Sequence, residues 1–373
     1  MGLFGGSRKH GGIFTFNKDD GYLEALLRGF RKGILSHVDY TNLRQCENLE
    51  GKKKQQEEQK DKERFNIKLH LSQTDYGDFL SGEPAPLQTA TIEEKATAKM
   101  VEEFNQIRNQ AVEPLSTFLD YICYGYMIDN IILLITGTLH ERDVSELISK
   151  CHPLGMFKSM ATLSLVRNTT DLYNTVLIDT PLAPYIQGCL HEEDLDVLNI
   201  EIIRNTLNKA YLEDFYAYCN ELGGQTSLIM NDILKFEADR RAINITIHSL
   251  NSNELNKDDR EKLFPTIGQL YPEGTSKLAR CEDISQVRQI LEVYSTFRNL
   301  LSEGVVSGDL SLETSFQKHE VHLNRMAFED QYGYGVFYAY FRLREQEIKN
   351  IIWISECILQ NMKSKIDQYV PIF

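Results

Sequence analysis

The sequence predicts an all-α protein. Apolar residues recur at the spacing of one helix face through most of the chain, and few segments alternate apolar and polar residues as strands do. A unit of roughly 110 residues also recurs three times, and in each copy a short helical stretch precedes a long amphipathic hairpin. The short stretches end at residues 74–80, 180–186 and 294–301. Repeats of this size are small domains, so we expect three pseudo-threefold-related helical lobes that leave a central socket between them.

The repeat divides the chain into four expected segments. Residues 1–12 form a flexible N-terminal extension, residues 13–140 the first helical repeat, residues 141–250 the second and residues 251–373 the third. The extension nearly meets the pattern for N-terminal myristoylation, but Gly6 stands where that pattern needs Ser or Thr.

The first helix is indicated by apolar residues at helical spacing. They are Tyr22, Leu23, Leu26, Leu27, Phe30 and Ile34. Gly33 is expected to end this helix. Ser36 and Asp39 have the spacing of a capping box, so they predict the start of the next helix.

A charged insert at residues 51–64 follows within the first repeat. It contains no apolar residue and mixes charges of both signs, which favours a solvated loop or a protruding helix tip. The alternative is a basic tract that binds nucleic acid or lipid, but its acidic residues nearly cancel its lysines. The whole chain carries a net charge of −14, which argues against nucleic-acid binding because that function needs a basic face.

Each repeat is expected to continue into a hairpin of long helices. The first hairpin runs from about residue 92 to residue 140, and Pro114 interrupts it because proline breaks the helical hydrogen-bond ladder. The second runs from about residue 192 to residue 249, with the Gly223-Gly224 pair at its turn. The third occupies residues 312–373.

One apolar stretch, residues 121–139, is about long enough to cross a bilayer. However, Asp129 and Asn130 lie at its centre, and the equivalent stretches around Phe236 and Glu347 are far more charged. If the three stretches are equivalent, none crosses a membrane, and a buried helix is the better interpretation.

Signatures of catalysis and of cofactor binding are weak. There is no phosphate-binding loop of the form Gly-x-x-x-x-Gly-Lys-Ser/Thr and no Gly-x-Ser-x-Gly nucleophile elbow. His319 and His322 lie one helical turn apart, but no third metal ligand is placed near them in the sequence. The seven cysteines are scattered along the sequence, which predicts reduced thiols. We therefore expect no catalytic residues, no cofactor and no metal.

Polar residues inside the apolar helices are the candidate functional residues. They recur at matching places in the three hairpins, and they are Asp129, Asn130, Glu201, Arg204, Asp239, Arg240, Arg241, Glu320, Arg325, Glu347, Lys349 and Asn350.

Two interpretations of these residues stay open. They can form ion pairs within and between helices that fix how each hairpin packs. Alternatively, some of them line a central socket and hold a partner. Arg241 is expected to form a buried pair with a carboxylate, and Glu201 of the partner helix is the candidate.

Several long blocks of the sequence carry a resemblance to a known family. The blocks are residues 21–24, 39–43, 126–140, 151–155, 199–207, 236–242, 270–274 and 371–373. Together they resemble subunit d of the eukaryotic vacuolar-type proton ATPases, in the family that includes the archaeal-type C subunits, over nearly the whole chain from about residue 14. The N-terminal extension and the charged insert are the two departures.

The resemblance implies a three-lobed helical funnel that serves as a non-catalytic subunit of the central rotor in ATP-driven proton transport. Its implied partners are the c subunits of the membrane proton ring, the central stalk subunits D and F, and other subunits of the pump. The implied location is the cytoplasmic face of vacuolar or endosomal membranes, with attachment through the ring and no membrane-spanning helix. A helical scaffold or adaptor outside a rotary ATPase is the alternative, since it would show the same fold.

Overall fold

The computed structural model describes residues 16, 18–50, 66–140, 142–158, 160, 180–187, 200–250, 255, 257–306 and 312–373. Regular secondary structure in these residues is helical, apart from an isolated bridge between Asn48 and Asn66. The predicted all-α class is therefore confirmed. The N-terminal extension, the charged insert and the first residues of the predicted second hairpin lie outside the described residues.

The α-helices are numbered here in chain order. They are α1 (Gly21–Phe30), α2 (His37–Gln45), α3 (Ile67–Ser72), α4 (Thr89–Arg108), α5 (Leu115–Leu139), α6 (Val144–Lys150), α7 (Ala183–Gln187), α8 (Ile200–Leu222), α9 (Gly224–Leu250), α10 (Lys257–Leu263), α11 (Glu273–Ala279), α12 (Ile284–Leu291), α13 (Ser295–Val306), α14 (Leu312–Glu329) and α15 (Gly335–Leu359). Short 3₁₀ helices occupy Arg31–Gly33, Pro153–Gly155 and Lys363–Gln368.

The chain folds as two compact units. Ser116–Phe316 belong to the first, called the central unit below, and Gly12–Leu115 with Gln317–Phe373 form the second, called the terminal unit. The division into three repeats with boundaries at residues 140 and 250 stays a prediction.

The start of the terminal unit follows the sequence signals closely. The α1 helix continues into a 3₁₀ turn that ends at Gly33, and Leu23 and Leu27 are buried. Tyr22, which was expected on the same apolar face, is 67% exposed, so its placement in the core was wrong. The predicted capping box is present at α2, because the Ser36 hydroxyl accepts from the Asp39 N–H (3.3 Å) and the Asp39 carboxylate accepts from the Ser36 N–H (2.8 Å). These two bonds satisfy backbone donors that a helix start would otherwise leave without a partner.

The long helices form where the sequence places them. The α4 helix ends at Arg108 and α5 begins directly after Pro114, so the first hairpin is interrupted as expected. Between α8 and α9, Gly223 (φ 67°) and Gly224 (φ 56°) both adopt the left-handed backbone region that glycine enters without steric cost.

The apolar helix α5 packs within the central unit. Among the described residues, Leu115–Gly137 is the one segment long and apolar enough to span a membrane, and 61% of its most apolar window is buried inside the protein. Asn130 is buried there, where it donates to the His152 carbonyl (3.0 Å) and accepts from the His152 N–H (2.7 Å). Asp129, its neighbour, is exposed. This burial is what the interpretation as a core helix predicts.

Aromatic side chains fill the core of each unit. In the central unit the Phe118 and Phe215 rings join α5 to α8 with centroids 5.4 Å apart. In the terminal unit the Phe104 and Phe341 rings join α4 to α15 at 4.9 Å. Burying a side chain of this size stabilises the fold by about 1.5–3 kcal/mol, so these contacts fix the long helices that carry the polar candidates.

Candidate functional site

Five of the polar candidates lie at two places, one in each unit. The first is a cavity of about 450 Å³ in the central unit, called the α8–α9 cavity below. Its lining residues are Glu201, Arg204, Asn205, Arg240, Arg241, Asn244, Ile245, His248, Ser249 and Leu255. The sequence therefore picked out four of the charged residues that the fold brings together: Glu201, Arg204, Arg240 and Arg241.

The helical hairpin explains this meeting. The α8 and α9 helices pack antiparallel, so the first turns of α8 lie beside the last turns of α9. Glu201 and Arg204 lie near the start of α8, whereas Arg240, Arg241 and His248 lie in the second half of α9. Residues about 40 positions apart in sequence thus share one cavity.

Arg240 is fully engaged by carboxylates. Its Nε and Nη2 donate to the two oxygens of Glu237 at 2.8 and 3.0 Å, and its Nη1 donates to Glu313 at 3.2 Å. Such forked contacts between a guanidinium and a carboxylate are strong and directional. Arg240 is therefore held in place within the central unit.

Arg241 is engaged more weakly, and its predicted partner was wrong. Its Nε lies 2.8 Å from Glu237 Oε1, but the N–H is not aimed at that oxygen as a hydrogen bond would require. Glu201, the expected partner, instead lies 3.6 Å from Arg204 on its own helix. The Arg241 side chain is also 29% exposed, so the pair is only partly buried. The i, i+4 spacing of Glu237 and Arg241 places them on one helix face, and this favours the local pair over the cross-helix one.

Asp239 is not among the residues that line the cavity, and its carboxylate holds a loop. It is 1% exposed, and its carboxylate accepts from the backbone N–H groups of Gln269 (2.8 Å) and Leu270 (3.0 Å). Gly268 (φ 119°) packs so closely that a Cβ there would collide with the carboxylate. Burial raises the pKa of Asp239 from 3.8 to about 7, while the two backbone N–H groups oppose this shift.

The second gathering place is a closed ion cluster in the terminal unit. The Arg344 guanidinium donates to Glu347 at 2.5 Å, to Glu103 at 3.2 Å and to the Gly33 carbonyl at 3.3 Å. Arg344 is 1% exposed and Glu347 is 0% exposed. The cluster joins α15 to α4 and to Gly33, which ends the 3₁₀ helix that follows α1.

Tyrosines and a backbone N–H complete the cluster. The Tyr76 hydroxyl donates to Glu347 (2.8 Å), the Leu35 N–H donates to the other oxygen of Glu347 (2.5 Å), and the Tyr340 hydroxyl donates to Glu103 (2.8 Å). Burial raises the pKa of Glu347, and the nearby Arg344 charge, the Leu35 N–H and the Tyr76 hydroxyl oppose that shift. A network with its acceptors satisfied in this way holds its members rigidly.

Sequence reasoning selected Glu347 but missed Arg344. The signal was present, because Arg344 lies one helical turn before Glu347 and the pair can meet on one face. Its other partners, Glu103 and Gly33, could not be predicted from sequence spacing, because they lie more than 200 positions away.

Asn350 has a structural role in the terminal unit. Its amide nitrogen donates to the Val370 carbonyl (2.6 Å) and to the Tyr40 hydroxyl (3.2 Å), and its oxygen accepts from the Val370 N–H (3.1 Å). These bonds attach the C-terminal segment to α15.

The remaining candidates lie apart from both gathering places. Glu320 accepts from Arg342 at 2.7 Å, across from α14 to α15. Arg325 is half-buried on α14, and Lys349 is exposed on α15. The structure does not bring these residues, or Asp129, into the α8–α9 cavity or the closed ion cluster.

The α8–α9 cavity can bind a ligand, and the closed ion cluster stabilises the fold. Within the described residues no group of three or more His, Cys, Asp or Glu side chains could hold a metal ion. The α8–α9 cavity instead presents guanidinium, amide and imidazole groups beside the Glu201 carboxylate, and these donors suit recognition of oxygen acceptors.

Comparison with known proteins gives consistent results along the whole chain. The family described as ATP synthase (C/AC39) subunit matches residues 23–369. A V-type proton ATPase subunit d from Dictyostelium discoideum is 73% identical over 373 residues, covering 100% of both chains. V-type proton ATPase subunit d1 from Arabidopsis thaliana is 54% identical over 96% of this chain and 98% of its own. V-type proton ATPase subunit d from Saccharomyces cerevisiae is 44% identical over 96% of this chain and 99% of its own.

Proposed function

The chain belongs to the V-type proton ATPase subunit d group of the ATP synthase (C/AC39) subunit family, and we propose that it couples the central stalk to the membrane ring of the pump. As a subunit d it is a non-catalytic part of a membrane-associated proton-pumping ATPase, with other subunits of that ATPase as its partners. The proposed partners are, more specifically, stalk subunits D and F on one side and the ring of c subunits on the other.

The observation that carries this proposal is the full-length match to proteins of that name, which reaches 73% identity over the entire chain. A match this long leaves the described helices and the candidate residues inside the shared region. It favours a rotor subunit over a helical scaffold outside a rotary ATPase.

Transmission of torque needs a part that does not yield under load. The closed ion cluster supports this role, because it ties Gly33, Glu103 and Arg344 together from three separate parts of the sequence. A buried network in which every carboxylate oxygen accepts a hydrogen bond resists rearrangement. We propose that such clusters stiffen the lobes of a funnel whose socket receives the stalk.

Attachment to the membrane is proposed to occur through the ring. In the apolar helix α5, 61% of the most apolar window is buried inside the protein, which supports a core role. The chain would then sit on the cytoplasmic face of vacuolar or endosomal membranes without crossing them.

A pull-down tests this assignment directly. Membranes carrying the tagged chain are solubilised in mild detergent, and the captured proteins are identified by mass spectrometry. We expect c subunits together with subunits D and F. Capture of partners from outside a rotary ATPase, with no ring or stalk subunit, would instead indicate a scaffold.

A further inference from the structure

The α8–α9 cavity contains two arginines whose donors are largely unused. The described structure shows Arg204 in one contact, with Glu201 at 3.6 Å, and Arg241 in one contact, with Glu237. The terminal nitrogens of Arg241 have no partner among the described residues. Arg240, beside them, has three aimed bonds to carboxylates.

The carboxylates near the cavity are unevenly divided among its three arginines, Arg204, Arg240 and Arg241. Glu237 serves Arg240 and Arg241 together, and Glu313 contacts Arg240 and Asn244. The pair of Glu201 with Arg204 is long and exposed, with side chains 53% and 45% accessible, and such pairs contribute little. A stronger acceptor could therefore replace Glu201 at small cost.

The unused donors fit one ligand chemistry. Guanidinium groups present planar forks of N–H donors that match the oxygens of carboxylates and phosphates. Asn205 and His248 also line the cavity and can donate to such oxygens. The volume of about 450 Å³ is within the usual range of ligand pockets, roughly 300–1,000 Å³.

We propose that the α8–α9 cavity is an oxyanion-binding site in which Arg204 and Arg241 hold a carboxylate or phosphate group. The group is carried either by a free anion or by an acidic side chain of another pump subunit, and the second source rests on the proposed function. Binding releases Arg204 from Glu201 and uses the free nitrogens of Arg241.

Calorimetric titration of the purified full chain with inorganic pyrophosphate tests the free-anion source. Three proteins are compared: the unchanged chain, the double variant Arg204→Gln with Arg241→Gln, and a control, Arg288→Gln. Arg288 belongs to the central unit and forms an exposed pair with Glu292, away from the cavity lining. We expect the double variant to bind pyrophosphate at least tenfold more weakly, and the control to bind like the unchanged chain. Circular dichroism and melting curves show whether all three proteins fold alike.

Capture of a purified complex of stalk subunits D and F tests the side-chain source with the same three proteins. Loss of capture in the double variant alone supports an acidic partner residue, even if pyrophosphate does not bind. An unchanged chain that binds pyrophosphate through the two arginines but captures no stalk supports the site and counts against the proposed coupling function. The site is rejected if the double variant matches the control in both measurements, or if the unchanged chain binds neither probe.

Discussion

The closed ion cluster of the terminal unit and the α8–α9 cavity of the central unit use the same residue types in opposite ways. Arg344 and Glu347 are 1% and 0% exposed, and each is surrounded by aimed partners. Arg204 and Glu201 are 45% and 53% exposed and meet at 3.6 Å. The first pair lies on α15 and the second on α8, and both are long hairpin helices with similar patterns of apolar and charged residues.

The difference teaches what separates a supporting polar group from one that can bind. Charges removed from water need partners within the protein, and in the closed cluster every carboxylate oxygen of Glu103 and Glu347 accepts at least one hydrogen bond. The Arg344 Nε–H is buried without a hydrogen-bond partner, so the cluster is fully satisfied on its acceptor side only. Arg204 and Glu201 at the open cavity are about half exposed, so they retain much of their water and lose little when a new partner arrives. Burial and the number of aimed contacts therefore distinguish the two roles, whereas residue identity does not.

The largest expected effect comes from breaking the closed cluster. Arg344→Ala strands the buried carboxylates of Glu347 and Glu103, and removing one member of a buried pair typically costs about 3–5 kcal/mol. Chemical denaturation of the variant measures this loss. An exposed control, Arg288→Ala, should change the free energy of unfolding by about 0–1 kcal/mol. A cost for Arg344→Ala similar to that of the control would contradict the account of the cluster.

A smaller effect is expected from removing one neutral donor of the same cluster. Tyr76→Phe keeps the ring but loses the bond of 2.8 Å to Glu347, which leaves a buried acceptor with one partner fewer. The expected loss is about 1–3 kcal/mol by chemical denaturation. Tyr22→Phe is a suitable control, since Tyr22 is 67% exposed. Equal stability of the two variants would show that Arg344 and Leu35 alone satisfy Glu347.

Asp239 is a buried carboxyl group in the central unit, and its raised pKa makes stability depend on pH. Its pKa is about 7 in the fold against 3.8 ordinarily, so between these values the folded state holds a proton that the unfolded state has lost. Its contribution to stability is therefore complete below about pH 4 and decreases as pH rises towards 7, by no more than about 1.4 kcal/mol per pH unit.

Denaturation midpoints between pH 4 and pH 8 measure this dependence. Asp239→Asn removes the titrating group, and its stability should lack this component of the slope. A slope that is the same in the variant and in the unchanged chain would mean that Asp239 does not titrate in this range.

The smallest effect is expected at the cavity. Arg241→Ala leaves Glu237 paired with Arg240, so no charge is stranded, and the cost should be about 0–1 kcal/mol. Denaturation side by side with Arg344→Ala compares the open and the closed arginine directly. A loss of several kcal/mol for Arg241→Ala would show that the cavity is a structural core and not an open site.

Local signals in the sequence predicted much of the fold. The capping box at Ser36, the break at Pro114 and the turn at Gly223-Gly224 each depend on residues close in sequence, and each is present. The closed cluster was less predictable, because Arg344 meets Glu103 and Gly33 only after the terminal unit has folded. The predicted partner of Arg241, Glu201, was wrong for a related reason. Glu237 lies one turn away on the same helix and competes well with a residue across the hairpin.

The coupling role is tested most directly by covalent linkage in the assembled pump. Single cysteines are placed on this chain after its seven native cysteines have been replaced, and they are crosslinked either to one of the ring proteins or to a stationary part of the pump. A protein that turns with both stalk and ring should allow ATP-driven proton pumping after linkage to the ring and should stop it after linkage to the stationary part. Pumping that is abolished by the ring crosslink and unaffected by the stationary one would contradict the rotor assignment.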